Sequence, residues 1–450
     1  MIHKFTLFGT NIVVDTNSGA VHVFDDVAYD ILDYYKEYNK EGIEDKLRGK
    51  YSKQQVEEAL EEISALEKDG LLYSKDTYDE YALKGHLSAW SKNIKALCLH
   101  VSHDCNLRCK YCFASTGNFG GERTVMTPEI GKRSIDFLIK ESGNRRNLEI
   151  DFFGGEPLLN FSTVVEVVEY AKKRGEEAGK RFKFTITTNA LLLNEEIKNY
   201  INANMHNVVL SIDGRKETND RMRYRVDGSG TYEDIMPVIK SVAESRNQDN
   251  YYVRGTYTRH NLDFSRDVLH LADEGFKQIS VEPVVAAKGT GYDLREEDLD
   301  VLYKEYERLA EEYVNRREKG RGFNFFHFMI DLGQGPCLSK RLGGCGSGHE
   351  YMAVTPEGDI YPCHQFVGMK EFKMGNVREG FLNREIQELF KRSNVYAKQD
   401  CRECWAKFYC SGGCAANAYQ FNGDINVPYK IGCALEKKRV ECALWIKTRE

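Results

Sequence analysis

Along residues 94–290, apolar and polar positions keep two alternating rhythms. Ile94-Lys95-Ala96-Leu97-Cys98-Leu99-His100-Val101-Ser102 alternates residue by residue, the period of a half-buried strand. Thr127-Pro128-Glu129 then opens a helix, with Pro128 suited to a first turn where a missing N–H costs nothing. Strand patterns return at Leu148–Phe153, Phe182–Thr187, His206–Ile212, Tyr251–Thr258 and Gln278–Val284, with a helix near Ser162–Gly175. Six strands separated by helices predict an α/β fold, a parallel sheet wound by right-handed crossovers. Six such units suit a partial barrel, with its active site at the C-terminal strand ends.

Residues 1–80 carry a different pattern. Phe5–Asp15 and Ala20–Phe24 predict two strands joined by a Thr16-Asn17-Ser18-Gly19 turn. Helices are expected at Asp26–Tyr38 and Ser52–Lys68, with Ser52 as N-cap and Gly70 as the stop. Leu71-Leu72-Tyr73 is expected to return as an edge strand. Beyond the barrel, Leu294–Lys319 predicts a helical bridge over residues 291–330. Residues 331–450 follow with little regular pattern and nine of the thirteen cysteines.

Charge and composition narrow the function. The net charge of −6, without a basic block, gives no reason to expect nucleic-acid binding. No apolar run reaches membrane-spanning length, and Met1–Phe8 lacks the apolar core of a signal peptide. A cytoplasmic protein is expected. In that compartment thirteen clustered cysteines argue for metal or cluster binding over a disulfide framework.

The densest chemistry lies in Asp104-Cys105-Asn106-Leu107-Arg108-Cys109-Lys110-Tyr111-Cys112-Phe113. Cys105, Cys109 and Cys112 are spaced C-x3-C-x2-C on a loop after the first barrel strand. Three thiolates can hold three irons of a [4Fe–4S] cubane and leave the fourth open to a ligand. Zinc prefers four closed ligands, and His103 reads as a backbone-pairing loop residue, not a fourth one. Here the sequence resembles the radical SAM enzymes, whose signature is this spacing with an aromatic residue, Tyr111, before the last cysteine. That resemblance implies a (β/α)6 partial barrel and S-adenosylmethionine as cofactor, cleaved on reduction to a 5′-deoxyadenosyl radical.

The same resemblance assigns further residues. Gly154-Gly155-Glu156-Pro157 ends the second strand and matches the segment that binds the cofactor's amine. Ser211 and Asp213 match the ribose-binding pair, against the plainer role of Asp213 in an Asx turn. Arg254 falls on a strand expected to be buried, where an unpaired guanidinium is costly, and is assigned to the cofactor's carboxylate. Thr188 and Asn189 are expected to line the same pocket.

In the last region Cys345 and Cys363 flank Gly358, and Cys401-x2-Cys404-x5-Cys410-x3-Cys414 precedes Cys433. All seven positions resemble the SPASM extension of radical SAM enzymes. That implies two auxiliary clusters, three [4Fe–4S] in all. Cys401, Cys404, Cys410 and Cys433 would hold the distal one, and Cys345, Cys363 and Cys414 the proximal one. Cys337 either closes the proximal cluster or stays off it, leaving a place for a substrate thiolate. Cys98 and Cys442 read as buried fillers.

Residues 1–80 resemble the small winged-helix recognition element of enzymes that modify ribosomally made peptides, in which a leader peptide adds as a strand to the sheet edge. A packing or dimerisation role is the plainer alternative. As a whole the chain most resembles the maturases of cysteine-rich SCIFF peptides, which form intrapeptide thioethers from cysteine sulfur to carbon. Precursor peptide and a reductant such as a flavodoxin or ferredoxin are the partners this implies. Two other functions compete. An anaerobic sulfatase maturase shares the core but has an acidic residue where this chain has His364, itself a candidate base. A non-catalytic iron–sulfur or zinc scaffold would need neither the open iron nor the glycine turn.

Overall fold

The structure of the protein, a computed structural model, describes residues 1–79, 93–333 and 337–450. The expected domain edge at residue 80, and residues 334–336 of the last region, lie outside the described residues.

The chain opens with a three-stranded antiparallel sheet, β1 (Ile2–Leu7), β2 (Thr10–Asp15) and β3 (Val21–Phe24), in that order. The single strand expected over Phe5–Asp15 is therefore two. Phe8 and Gly9 both take left-handed backbone angles, φ 48° and 73°, and reverse the chain. Phe at the first turn position hid that reversal inside an apolar run. The helix expected to reach Tyr38 closes at Asp26–Ile31 and continues in turns, and a further helix forms at Lys40–Leu47. Ser52 caps Lys53–Lys68 in a reciprocal capping box with Gln55, and Gly70 ends it at φ 71°. Leu71–Tyr73 is not a strand: Leu72 is fully buried in this domain's own core, and the Leu71 carbonyl meets the His22 ring at 3.0 Å.

The barrel strands are β4 (Ala96–Ser102), β5 (Asn147–Gly154), β6 (Arg181–Thr188), β7 (Asn207–Ser211), β8 (Tyr251–Tyr257) and β9 (Gln278–Pro283). They pair in chain order and all in parallel. Alternation sets their faces. On β5, Leu148, Ile150 and Phe152 are fully buried in the main core, while Glu149, Asp151 and Phe153 on the other face are half-buried.

The sheet continues beyond the six. β10 (Asn324–Phe325) adds in parallel to β9. β11 (Tyr351–Val354) adds in parallel to β4, followed by antiparallel β12 (Asp359–Tyr361), β13 (Gly375–Asn376) and β14 (Phe381–Leu382). The cysteine-rich region is thus anchored in the barrel wall through Tyr351–Val354 and Ala96–Leu99. The helix Lys430–Lys447 buries Leu435, Val440 and Cys442 to Ile446 in the same core. No helix among the described residues is long and apolar enough to cross a membrane.

The N-terminal domain rests on the cysteine-rich region. The His3 ring stacks on Trp405 with centroids 3.9 Å apart, and His3 Nε2 meets Glu441 at 3.0 Å. Asp76 accepts from Lys407 Nζ at 2.8 Å and from the Tyr396 hydroxyl at 2.7 Å.

Candidate iron–sulfur and cofactor site

The loop bearing Cys105, Cys109 and Cys112 leaves β4 at the C-terminal end of the barrel and is pinned from two sides. On one side Arg108 N donates to Tyr224 O at 2.8 Å and Lys110 N to Met222 O at 2.9 Å. On the other, Gly155 N donates to Ser102 O at 2.8 Å and Glu156 N to Asp104 O at 2.9 Å. The two glycines are sterically required here. A Cβ on Gly154, at φ 132°, would stand 2.2 Å from Ser102 O, and one on Gly155 would stand 2.1 Å from Asp104 O. His103 pairs by its backbone with Thr124 O at 2.7 Å, and its ring meets His100 at 3.1 Å.

Glu156, expected beside the cofactor, commits its carboxylate internally. It is 1% exposed and accepts from the Thr188 hydroxyl (2.7 Å), Asn189 N (2.8 Å) and Leu158 N (3.0 Å). Burial raises its pKa, and those donors oppose the rise. Asn189, so fixed, donates to Asn106 Oδ1 at 2.8 Å and reaches Cys105 Sγ at 3.7 Å, while Leu107 N reaches the same sulfur at 3.4 Å. Donors aimed at a ligand sulfur tune a cluster's potential.

Tyr111 and Asp213 are brought together, with a residue the sequence reading missed. The Tyr111 hydroxyl donates to Asp213 at 2.7 Å and accepts from Arg223 Nη1 at 3.0 Å. Asp213 is fully buried and also accepts from Thr256 N at 3.1 Å. Burial pushes its carboxyl up to about 6, restrained by Arg223 and Tyr111. The structure thus sets Asp213 beneath the cluster loop. Ser211, two positions earlier, is half-buried on β7 opposite Arg254. The Arg-rich run Arg221–Arg225 was the available signal for Arg223, but nothing local ties it to Tyr111.

Arg254 needs correction. It is neither buried nor unpaired: its side chain is 49% exposed and donates to Glu282 Oε2 at 2.7 Å. Its face of β8, shared with Tyr252 and Thr256, is only partly buried. His364 lies against Phe113 and Phe153 at 5.4 and 5.2 Å, so the cluster loop and the cysteine-rich region meet there. Burial, then Arg254, pushes His364 down to about 4, leaving it neutral at pH 7.

Of the remaining cysteines, Cys401, Cys404, Cys410 and Cys433 line one cavity of about 560 Å³, walled also by His3, Trp405 and Lys407. Burial, then Glu436 and the other three thiols, pushes Cys410 up to about 12. Cys345 and Cys414 are exposed and Cys363 is buried, pushed up to about 12 by burial and by the neighbouring Cys414. Cys337 is exposed at the start of the helix Leu338–Gly343, and Cys98 and Cys442 are buried. All thirteen cysteines are free. Among the described residues no three ligating side chains converge as a single ion would require. A four-thiol cavity and a three-thiol loop fit cubanes, which take each thiolate on a different iron.

Comparison with known proteins gives two domain matches. A radical SAM superfamily domain matches residues 99–268, and an iron–sulfur cluster-binding SPASM domain matches residues 345–405. The radical SAM cyclopropyl synthase TigE of Paramaledivibacter caminithermalis is 26% identical over 376 residues, covering 77% of this chain and 73% of that protein. A cysteine-type anaerobic sulfatase-maturating enzyme of Clostridium novyi is 25% identical, covering 72% and 89%. Among solved structures, anSMEcpe with bound AdoMet and Cp18Cys peptide aligns with TM-score 0.62 at 21% identity, covering 78% of this chain and 97% of that one. Streptococcus suis SuiB bound to S-adenosylmethionine aligns with TM-score 0.52 at 18% identity, covering 94% and 96%. These two structures share the fold.

Proposed function

We propose that this chain, matched by a radical SAM domain over residues 99–268 and a SPASM iron–sulfur domain over residues 345–405, is a radical SAM enzyme that matures a ribosomally made, cysteine-rich precursor peptide. The reaction is formation of intrapeptide thioethers from cysteine sulfur to carbon, as in the SCIFF maturases. The observation that carries this reading is the seating of the N-terminal sheet on the cysteine-rich region, through His3–Trp405 and Asp76–Lys407. The outer edge of β3 has no strand partner among the described residues, and Val23 on it is 58% exposed. A leader peptide adding there by backbone hydrogen bonds would join the sheet whose first strand carries His3, the residue stacked on Trp405 next to Cys404. By name, a cyclopropyl synthase and the PqqA peptide cyclase of Bradyrhizobium diazoefficiens, 23% identical over 73% of this chain, are among the relatives.

When bound, S-adenosylmethionine and a [4Fe–4S] cluster at Cys105, Cys109 and Cys112 supply a 5′-deoxyadenosyl radical that abstracts hydrogen from substrate. The protein's part is position. Gly154 and Gly155 offer backbone carbonyls to the cofactor's amine, Ser211 a hydroxyl to its ribose, and Arg254 a guanidinium to its carboxylate once released from Glu282. Glu156, Asn189 and the Arg223–Tyr111–Asp213 chain hold the loop still. Cys345, Cys363 and Cys414 hold the proximal cluster, and the exposure of Cys345 and Cys414 lets a peptide thiol reach it. A flavodoxin or ferredoxin supplies electrons.

The test is incubation of the reconstituted enzyme with a SCIFF-type precursor, S-adenosylmethionine and dithionite under anaerobic conditions. The expected product lacks two hydrogens for each bridge. An unchanged peptide, together with formylglycine formed on a sulfatase-derived cysteine peptide, would give the assignment to the sulfatase maturases. His364, standing where the sulfatase maturases carry an acidic base, argues against that second reading.

A further inference from the structure

Two buried lysines in the cysteine-rich region differ in what neutralises them. Lys407 is 3% exposed and has the Asp76 carboxylate at 2.8 Å. Lys398 is equally buried at 3%, and its Nζ donates only to a backbone carbonyl, Gly412 O at 2.7 Å. Among the described residues it has no carboxylate partner. A buried ammonium without a counter-ion is costly enough that such groups are paired or lose their proton.

What Lys398 touches belongs to the cysteine sets: its carbonyl accepts from Cys401 N at 3.0 Å, and Gly412, which its Nζ bonds, lines the cavity with Cys401, Cys404, Cys410 and Cys433. Bound to iron, these cysteines are thiolate anions. The bonded carbonyl is equally telling. Gly412 is the middle of Ser411-Gly412-Gly413, all left-handed at φ 60°, 86° and 71°, the turn that carries the chain from Cys410 to Cys414. Lys398 therefore ties down the one short connection between a distal and a proximal ligand.

We propose that Lys398 is the shared counter-cation of the two auxiliary clusters, a positioning residue that stabilises the more negative, reduced state of both. The proposal rests on the division of the SPASM cysteines into two cluster sites. Reduction of either site adds one electron and no atom, and a fixed positive charge nearby raises the potential at which it is accepted.

Lys398→Met keeps the stem and removes the charge, and Lys398→Arg keeps the charge. The readouts are iron and sulfide content and the midpoint potentials of the clusters, followed by electron paramagnetic resonance during dithionite titration of the full reconstituted chain. Lys398→Met should lower both auxiliary potentials, or shed auxiliary iron, with the Cys105 cluster unshifted, and Lys398→Arg should recover wild-type behaviour. Lys398→Met with both clusters and unshifted potentials would overturn the proposal. So would equal iron loss in the two variants, which marks a packing role. Wild-type protein holding only about four irons, against about twelve for three cubanes, would instead overturn the cluster assignment beneath it.

Discussion

The distal and proximal cysteine sets are built differently although they share one turn. Cys401 and Cys410 lie in the short helices Gln399–Arg402 and Lys407–Cys410, and Cys433 in the long helix Lys430–Lys447. His3 lines their cavity beside Trp405, so the N-terminal domain supplies part of its wall. Cys345 and Cys414 are exposed on turns, and only Cys363, after β12, is buried. The set proposed as distal thus sits on helices beside a second domain, while Cys345 and Cys414 of the set proposed as proximal are exposed. A more enclosed set suits a centre that passes electrons, and an open one suits a centre that substrate approaches.

The largest effect should come from breaking the closed set. Cys410→Ala should lower iron from about twelve to about eight per chain, measured by metal analysis after reconstitution. Next is the seat of the N-terminal domain. Asp76→Ala strands the Lys407 ammonium and should cost about 3 kcal/mol, read by calorimetry of the loaded full-length chain. Burial raises the Asp76 carboxyl, but the bonds from Lys407 and Tyr396 outweigh it and hold it below 3.8. A depressed folded pKa means the stabilisation is present above the unfolded value and is lost as pH falls through the folded one. The gap between wild type and Asp76→Ala should therefore close at strongly acid pH.

The His3–Trp405 stack should be worth less, about 1 kcal/mol as the coupling in a His3→Ala, Trp405→Ala double-mutant cycle, and Trp405→Ala should weaken precursor binding measured by fluorescence anisotropy. The smallest effect on content belongs to the open set. Cys337→Ala should keep the full iron complement, and a loss of about four irons would make Cys337 the fourth proximal ligand and close that site.

Much of this was legible from the chain. Apolar runs located β4 to β9, and β5 to β8 alternate in burial, but β4, expected half-buried, is buried along its whole length. The spacing of Cys105, Cys109 and Cys112 located the first cluster loop, and the Gly154-Gly155 turn located the strand end it lies on. The sequence misled where a single residue type was ambiguous. Phe8 hid a turn, and Leu72 and Tyr73 of the apolar Leu71–Tyr73 run pack into a local core. Arg254 looked buried because alternation does not say whether a strand's second face is packed or open.

The succession of strands follows from local pattern, which each segment carries by itself, while the grouping of thiols was implied by the resemblance to the SPASM extension. Partner choice does not follow from local pattern. The Arg223–Tyr111–Asp213 chain, the Arg254–Glu282 pair, the continuation of the barrel into β11 and the seating of His3 on Trp405 all join segments far apart in sequence. Folding alone decided these, because the cost of burying a charge depends on which distant group ends up beside it.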